Sequence, residues 1–339
     1  MSMTGKSGNA IRRPDLQQLV REYIEGDISA MNGFIADKVM PIYEVNEKTA
    51  TYDVVPKEAF LKIQDTNRAA DGTYNRNNWQ YETGYYSCIE QGWEEPLEDT
   101  QRADFDQRNG IGTAEMITME RGMSILMRSR EQKVSAAVFN ATNFTANAIT
   151  NEWDDATNAV PIDDIKAGKV SVRNASGIVP NTLIINYNVF ENLKRCDQVV
   201  DLLTYNFGAE VNLTQLSIAQ LASVLGVENI LVAGAMYDSA AGGQDASITQ
   251  LWSNEYAMLT RIETGIDISR PQLGRTFLWT MDSPGMPITE QYREEQTRSD
   301  IYRVRYYADH ALIASRNSSG TIVSNISAAV SYLFSNVTT

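Results

Sequence analysis

The side chains able to do chemistry are few, and their spacing suits almost no reaction. His310 is the only histidine. It lies in "YYADHALIA", where the neighbours alternate as in a strand, and it reads as an ordinary strand-edge side chain. A Ser–His triad would have to use it, yet no G-x-S-x-G elbow occurs. Cys88 and Cys196 stand far apart and match no metal spacing, so they read as buried free thiols. Zinc sites of the His/Cys type therefore lack ligands. Carboxylate pairs occur in "WDDATN" (Trp153–Asn158), "QGWEEPLED" (Gln91–Asp99) and "QYREEQ" (Gln291–Gln296). Such pairs are common on acidic surfaces, and no neighbouring residue marks one as buried. A calcium ion is the one metal they suit by type.

Phosphate cradles need glycines so that backbone N–H groups can approach an anion. After the apolar run Leu183–Ile185 stands "NYN" (Asn186–Asn188), and after Ile230–Ala233 stands "AGAMYDSAAGG" (Ala233–Gly243). Neither matches G-x-G-x-x-G or the P-loop. No catalytic, cofactor-binding or metal residue is assigned, and no cofactor is expected.

The elements that would have to position these residues make a mixed α/β chain. At 339 residues it can bury one large core or two modest ones. Its 43% hydrophobic and 21% charged content describe an ordered globular protein. No apolar run is long enough for a membrane span, and "MSMTGKSGNAIRRPD" lacks an apolar signal core, so a cytosolic product is expected. The net charge of −14 argues against tight nucleic-acid binding. It is unevenly spread: Lys6, Arg12, Arg13 and Arg21 make the start basic, while Glu90–Asp106 is strongly acidic. Such polarity can steer copies together, or it can simply solvate two faces.

A short amphipathic helix is expected around Leu16, Leu19, Val20, Tyr23 and Ile24. Tyr52 and Val54 alternate in a strand, and the polar run Ile63–Asn78 follows. A second strand then carries Trp79, Tyr81, Thr83, Tyr85, Ser87 and Ile89 on one side, which predicts a long hairpin. Its aromatic face needs a cover, from another part of the chain or from another copy. Met116, Met119, Met123, Leu126, Val134 and Ala137 recur at helical spacing over Thr113–Asn140, with Arg121, Arg128, Arg130 and Lys133 elsewhere around the axis. The methionines read as core filling.

Pro161, with Asp163 and Asp164 in the first turn, opens a further helix that Gly177 closes. The strand Leu183–Ile185 comes next, with Asn188 as cap of the following helix. A helix over Thr214–Leu225 (buried face Leu216, Ala219, Ala222, Leu225) and the strand Ile230–Ala233 complete an α/β unit. The remainder is strand-rich: Phe277, Trp279 and Met281 alternate, as do Tyr302, Val304 and Tyr306, and Ala311–Ala314 could add another strand.

Several stretches in this order resemble the major capsid proteins of tailed bacteriophages, which have the Hong Kong 97-like fold. They are "NRAADGTYNRNNWQYETGYYSCIEQGWEEPLED" (Asn67–Asp99), "NEWDDATNAVPIDDI" (Asn151–Ile165), "SGIVPNTLIINYNVFENLK" (Ser176–Lys194), "ILVAGAMYDSAAGG" (Ile230–Gly243) and "QLWSNEYAMLT" (Gln250–Thr260). The resemblance implies an α+β fold with an N-terminal arm (1–48) and an extended β-hairpin loop (49–97). It implies a peripheral domain with a long spine helix (98–154 and 266–339) and an α/β axial domain (155–265). It implies a structural protein, not an enzyme, that self-assembles into pentamers and hexamers of an icosahedral head around double-stranded DNA.

Expected partners are other copies of the chain, a scaffolding protein, a portal and a decoration protein. DNA would be touched weakly and non-specifically, and no membrane is involved. The site would be the virion capsid, assembled in the bacterial host cytoplasm. Arg68, Tyr74, Arg76 and Trp79 are expected at subunit contacts, because Arg forks onto carboxylates and aromatics bring large desolvated area. Trp93, Glu94, Glu95 and Glu294 are expected on the facing side. Some relatives cross-link a loop lysine to a neighbour's asparagine; Lys57 and Lys62 fall in that region without further support. The alternatives are an encapsulin-like compartment shell with enzyme cargo and a cytosolic, carboxylate-dependent α/β hydrolase.

Overall fold

The computed structural model describes residues 10–25, 33–56, 61–68, 70–77, 81–207, 217–265, 267–282, 284, 287–316 and 322–338. Strand β1 (Ile11–Arg12) leads into α1 (Pro14–Glu25), followed by α2 (Ala36–Val39), β2 (Ile42–Val45) and β3 (Thr49–Val54). Next come β4 (Glu82–Ser87), β5 (Ile89–Glu98), α3 (Asp99–Asn109) and α4 (Thr113–Val138). After β6 (Ala146–Ala148) the chain alternates: α5 (Pro161–Ser176), β7 (Thr182–Asn186), α6 (Tyr187–Leu193), α7 (Asp197–Phe207), α8 (Ile218–Leu225) and β8 (Asn229–Ala233). Strands then dominate, with β9 (Met236–Asp238), β10 (Ile248–Gln250), β11 (Ala257–Thr260), β12 (Gly274–Trp279), β13 (Ile288–Glu294) and β14 (Ser299–Leu312). The last elements are β15 (Ser315–Arg316), β16 (Ile322–Ser324), α9 (Ile326–Ala329) and β17 (Ser331–Ser335).

A five-stranded sheet, in the order β6-β17-β11-β7-β8, is buried on both faces. Leu183 and Ile185 of β7, with Leu259 and Phe334, meet Ile165, Val189, Leu193, Leu203 and Leu221 of the flanking helices. Ile184, Met258 and Leu333 point the other way, toward Met40, Val134, Val138 and Trp252. A strand covered on two sides needs apolar residues at every position, which is why β7 reads as a run and not an alternation.

The surrounding caps follow the sequence closely. Pro161 occupies the first turn of α5 with Asp163 and Asp164, and Gly177 closes it at φ 75°. The cap of α6 is Asn186, not the expected Asn188: its side chain accepts the Asn188 N–H at 2.9 Å. Where one helix was expected after this turn, α6 and α7 follow each other. Helix α8 starts later than expected, at Ile218 behind a Ser217/Gln220 capping box. Its buried face is Leu221, Ala222, Val224 and Leu225, with Ala219 exposed. Thr214 and Leu216 lie outside the described residues.

The six-stranded sheet runs β1-β13-β14-β12-β2, with β5 also paired to β14. Tyr302, Val304, Tyr306 and Ala308 of β14 pack against Met119, Met123, Leu126 and Met127 of α4. Helix α4, 26 residues long, spans roughly 40 Å and joins both sheets: its first half covers this one and its second half the other. Double coverage also explains two departures from the expected stripe. Met116 is exposed, and Arg130, expected away from the methionine face, is fully buried with Glu131 beside it. Ala311 and Leu312 end β14 instead of starting another strand. Tyr23 and Ile24 have side chains outside the described residues; the expected short helix forms as α1, and its Leu16 and Val20 pack on α4.

His310 is not at a strand edge. It pairs across to Thr276 of β12, and its Nδ1 lies 3.0 Å from the Thr276 hydroxyl. Burial, with Arg130 and Lys133 nearby, pushes its pKa down to about 3. Neutral at ordinary pH, it serves as a core hydrogen-bonding group. Cys88 and Cys196 are buried free thiols, and desolvation raises each pKa to about 11.

Candidate interaction surface

The hairpin forms, and the chain itself covers the face opposite to the one expected to need cover. β3 and β4 pair antiparallel from Thr49↔Ser87 to Val54↔Glu82. The ring of Tyr52 covers Gly84, leaving no room for a Cβ there. Tyr86 stacks on Phe277 of β12 at 4.4 Å between ring centroids, and Tyr52 stacks on the same ring at 5.4 Å. The even-numbered residues are therefore held by the chain's own core. The odd-numbered aromatic side, expected to be the one needing cover, remains outside: Tyr85 is 47% and Ile89 68% exposed, and Tyr81 is exposed as well. Tyr43 and Trp279 next to Phe277 make the even face the better fit, because an aromatic cluster gains more by stacking than a threonine-flanked face does.

The segment beyond β3 is ordered locally by polar groups. Asn75 donates to the carbonyls of Asp65 and Asn67, at 3.0 and 3.3 Å. Arg68 Nε donates to the Gly72 carbonyl at 2.7 Å, and its guanidinium lies 4.8 Å from the Tyr74 ring centroid. Arg68, Tyr74 and Arg76 are all exposed. Trp79 and Lys57 lie outside the described residues. Leu61 rests against Gly177, the cap of α5, and ties this segment to the five-stranded unit.

Trp93, Glu94 and Glu95 sit on β5, and the structure separates them by face. Pairing of Val304 with Trp93 and Arg303 with Glu94 puts Trp93 on the α4 side and Glu94 on the opposite side. Trp93 donates its indole N–H to Glu95 at 2.8 Å, and Glu95 also meets Arg121 of α4 at 3.0 Å. Glu94 accepts from Arg303 at 2.6 Å and from the Tyr292 hydroxyl at 3.1 Å. Glu294 lies at the β13–β14 turn and accepts from the Thr297 hydroxyl at 2.7 Å.

Over β5, β13 and β14 the outer face of the six-stranded sheet is a lattice of charges. Glu290 accepts from Arg303 at 3.2 Å and from Arg305 at 2.8 and 3.1 Å. Arg305 also meets Asp282, and Glu90 accepts from the Tyr307 hydroxyl at 2.8 Å. These arginines hold the Glu290 carboxyl below its ordinary pKa. Gly92 leaves space over Arg305: a Cβ there would come within 2.9 Å of the Arg305 Cβ. A groove of about 430 Å³ lies over Glu90, Gly92, Glu94, Arg303 and Arg305. Sequence reading missed Arg303, Arg305 and Glu290, although "YRVRYY" (Tyr302–Tyr307) carries the signal: arginines at every second position place both on one face of a strand.

Much of the acidic stretch Glu90–Asp106 is thus neutralised within the chain. Asp99 accepts from Arg293 through both oxygens, at 2.5 and 2.6 Å, and Asp104 meets Arg108 at 2.9 Å.

At the α/β unit, the turn after β7 is filled by the chain itself. Asn186, besides capping α6, donates to Gln250 and to the Trp252 carbonyl. Deeper in, Glu131 accepts three N–H groups: Ile35 at 3.0 Å, Ala36 at 2.9 Å and the Trp252 indole at 2.7 Å. Desolvation nevertheless raises its pKa. Arg130 pairs with Asp37 beside it. Among the described residues no group of three His, Cys, Asp or Glu is placed to hold a metal ion, and no helix is long and apolar enough to cross a membrane.

No family model matches the chain. Over 282 residues it is 24% identical to the major capsid protein of Burkholderia phage BcepMu, covering 80% of this chain and 86% of that one. Its fold is similar to the crystal structure of a phage-related protein from Bordetella bronchiseptica, with TM-score 0.67 and 19% identity over 97% of this chain and 99% of the other. It is also similar to the mature capsid of bacteriophage PhiM1, with TM-score 0.52 and 12% identity, covering 86% and 84%. The chain is thus similar over most of its length to a phage major capsid protein, and it has the Hong Kong 97-like fold. The similarity to the BcepMu protein runs through four fifths of this chain.

Proposed function

We propose that the chain builds the icosahedral head of a tailed phage, assembling as pentamers and hexamers around double-stranded DNA. The observation that carries this is the similarity to a phage major capsid protein across most of both chains. An encapsulin-like compartment has less support, because that curated relative is a phage protein. The virion would be its destination and the host cytoplasm its place of assembly, with a scaffolding protein, a portal and a decoration protein as further partners.

In the domain assignment, residues 155–265, which supply β7, β8 and β11 of the five-stranded sheet, would be the axial domain, and 98–154 with 266–339 the peripheral domain, which lends that sheet β6 and β17, α4 serving as the spine helix. Residues 1–48 would be the arm. The extended loop of 49–97 narrows to about 49–88 by this reading, because β5 is paired to β14 along its whole length. The exposed Arg68, Tyr74 and Arg76 suit contacts with a neighbouring copy, as Trp79 would. The groove beside Glu94 and Trp93, and the turn bearing Glu294, suit the facing side, with Glu95 bracing Trp93. Electron microscopy of the purified chain tests the function: shells, tubes or capsomers are expected, and a strictly monomeric protein at high concentration would refute it. Charge reversal at Arg68 or Arg76 tests the interface; normal shells from both variants would remove those residues from it.

A further inference from the structure

Helix α3 differs from every element around it in what holds it. None of its residues is buried, and Phe105 alone packs, in part, against the apolar cluster under β14. Most of its other ties are charged, beside the Asp99 N–H bond to the Arg298 carbonyl at 3.1 Å and the Thr113 hydroxyl bond to the Asn109 carbonyl at 3.2 Å. Arg293 clamps Asp99 through both oxygens, Arg102 meets Asp300 at 3.0 Å and also Glu115, and Asp106 accepts the Ala114 N–H at 3.1 Å. Glu115 additionally receives Arg13 at 3.4 Å, so the N-terminal segment shares its carboxylate with Arg102.

The connection to α4 is built to turn. Gly110 and Gly112 have φ of 105° and 86°, and Ile111 between them is 99% exposed. Crowding does not explain these glycines: a Cβ at Gly112 would meet nothing within 4 Å, and one at Gly110 only the Thr113 hydroxyl at 3.7 Å. They are required by the backbone path alone, and glycine is the residue that can change that path at least cost. On its other side α3 continues directly from β5, whose last residue Glu98 provides no side-chain cap.

We propose that α3 is a strap latched to the six-stranded sheet by charge and pivoted on Gly110–Gly112, free to lift while α4 stays packed. Lifting breaks the Asp99–Arg293 and Arg102–Asp300 pairs and uncovers the apolar edge against which Phe105 lies. Salt weakens partly exposed ion pairs but leaves burial of α4 untouched, so ionic strength acts as the release. This holds for the single chain, whatever it assembles into.

Amide hydrogen exchange on the full-length chain is the test, comparing low salt with about 1 M sodium chloride, where screening acts within about 3 Å. Peptides over 99–109 should exchange about three- to tenfold faster in high salt, and those over 113–138 and 182–186 by less than about twofold. At low salt, Asp99→Asn and Arg102→Ala should each reproduce part of that gain. The strap is overturned if 99–109 ignores salt and both substitutions, or if 99–109 and 113–138 open together. The salt arm uses the unmodified chain and stands even if a variant misfolds.

Discussion

Every residue of β7 from Thr182 to Asn186 is buried, whereas β14 alternates between residues packed on α4 and arginines on an outer face. The five-stranded sheet has helices on one side and α4 with Met40 and Trp252 on the other. The six-stranded sheet is apolar toward α4; its outer face is apolar where Phe277 meets the β3–β4 hairpin and is finished elsewhere by Arg303, Arg305, Glu290 and Glu94. One half of the molecule is thus closed by dispersion and hydrophobic burial, the other over much of its outer face by paired charges that tolerate water. A surface of the second kind can exchange partners at modest cost, which suits a face that meets other chains.

The sharpest test of this contrast is truncation in the closed sheet. Ile185→Ala should cost about 4 kcal/mol in urea denaturation, with little dependence on salt, since a fully buried methyl-rich side chain leaves a cavity. A cost below 1 kcal/mol would show that the site collapses and that the two sheets are alike. Next, Glu131→Ala should cost about 3 kcal/mol, because two backbone N–H groups and the Trp252 indole lose their buried acceptor. Because desolvation raises the Glu131 pKa, its ionised form burdens the fold: its contribution is largest at low pH and is lost as pH rises through the raised value. Glu131→Gln should flatten that dependence in denaturation midpoints between acid and neutral pH.

On the charged face, Arg305→Ala should cost about 1–2 kcal/mol, and the loss should shrink in high salt, since Glu290 and Asp282 then rely on solvent. An equal loss at low and high salt would place Arg305 with the core residues. The smallest effect is the acid response of Glu290. Its pKa is lowered by Arg305 and Arg303, so its contribution is complete above the ordinary carboxylate value and fades as pH falls through the lowered one. Exchange of β13 and β14 amides should therefore quicken in acid before that of β7, the opposite sign to Glu131.

How far the sequence could be read depended on how local each signal was. Gly177, Pro161 and the run Leu183–Ile185 announce a cap, a helix start and a buried strand from their immediate neighbours, and all three stand where expected. The helix over Met119, Met123, Leu126 and Val134 was legible for the same reason. Of the proposed interface residues, Arg68, Tyr74 and Arg76 were recognisable as exposed because the run around them is polar. Arg303 and Arg305 were overlooked, since their role depends on Glu290 and Glu94 from two other strands.

By itself, then, the sequence determined the periodicities, the caps, the lack of a spaced metal or nucleotide motif and the family resemblance. All of these reside in residues close together or in an ordered set of short stretches. The tertiary structure alone decided which face of the hairpin is buried, that Arg130 and Glu131 lie inside, and which acids are already paired. Alternation with period two says that two faces differ but not which one meets the core. That choice was made by Phe277, almost two hundred residues downstream, whose ring stacks on Tyr86 and leaves Tyr85 outside.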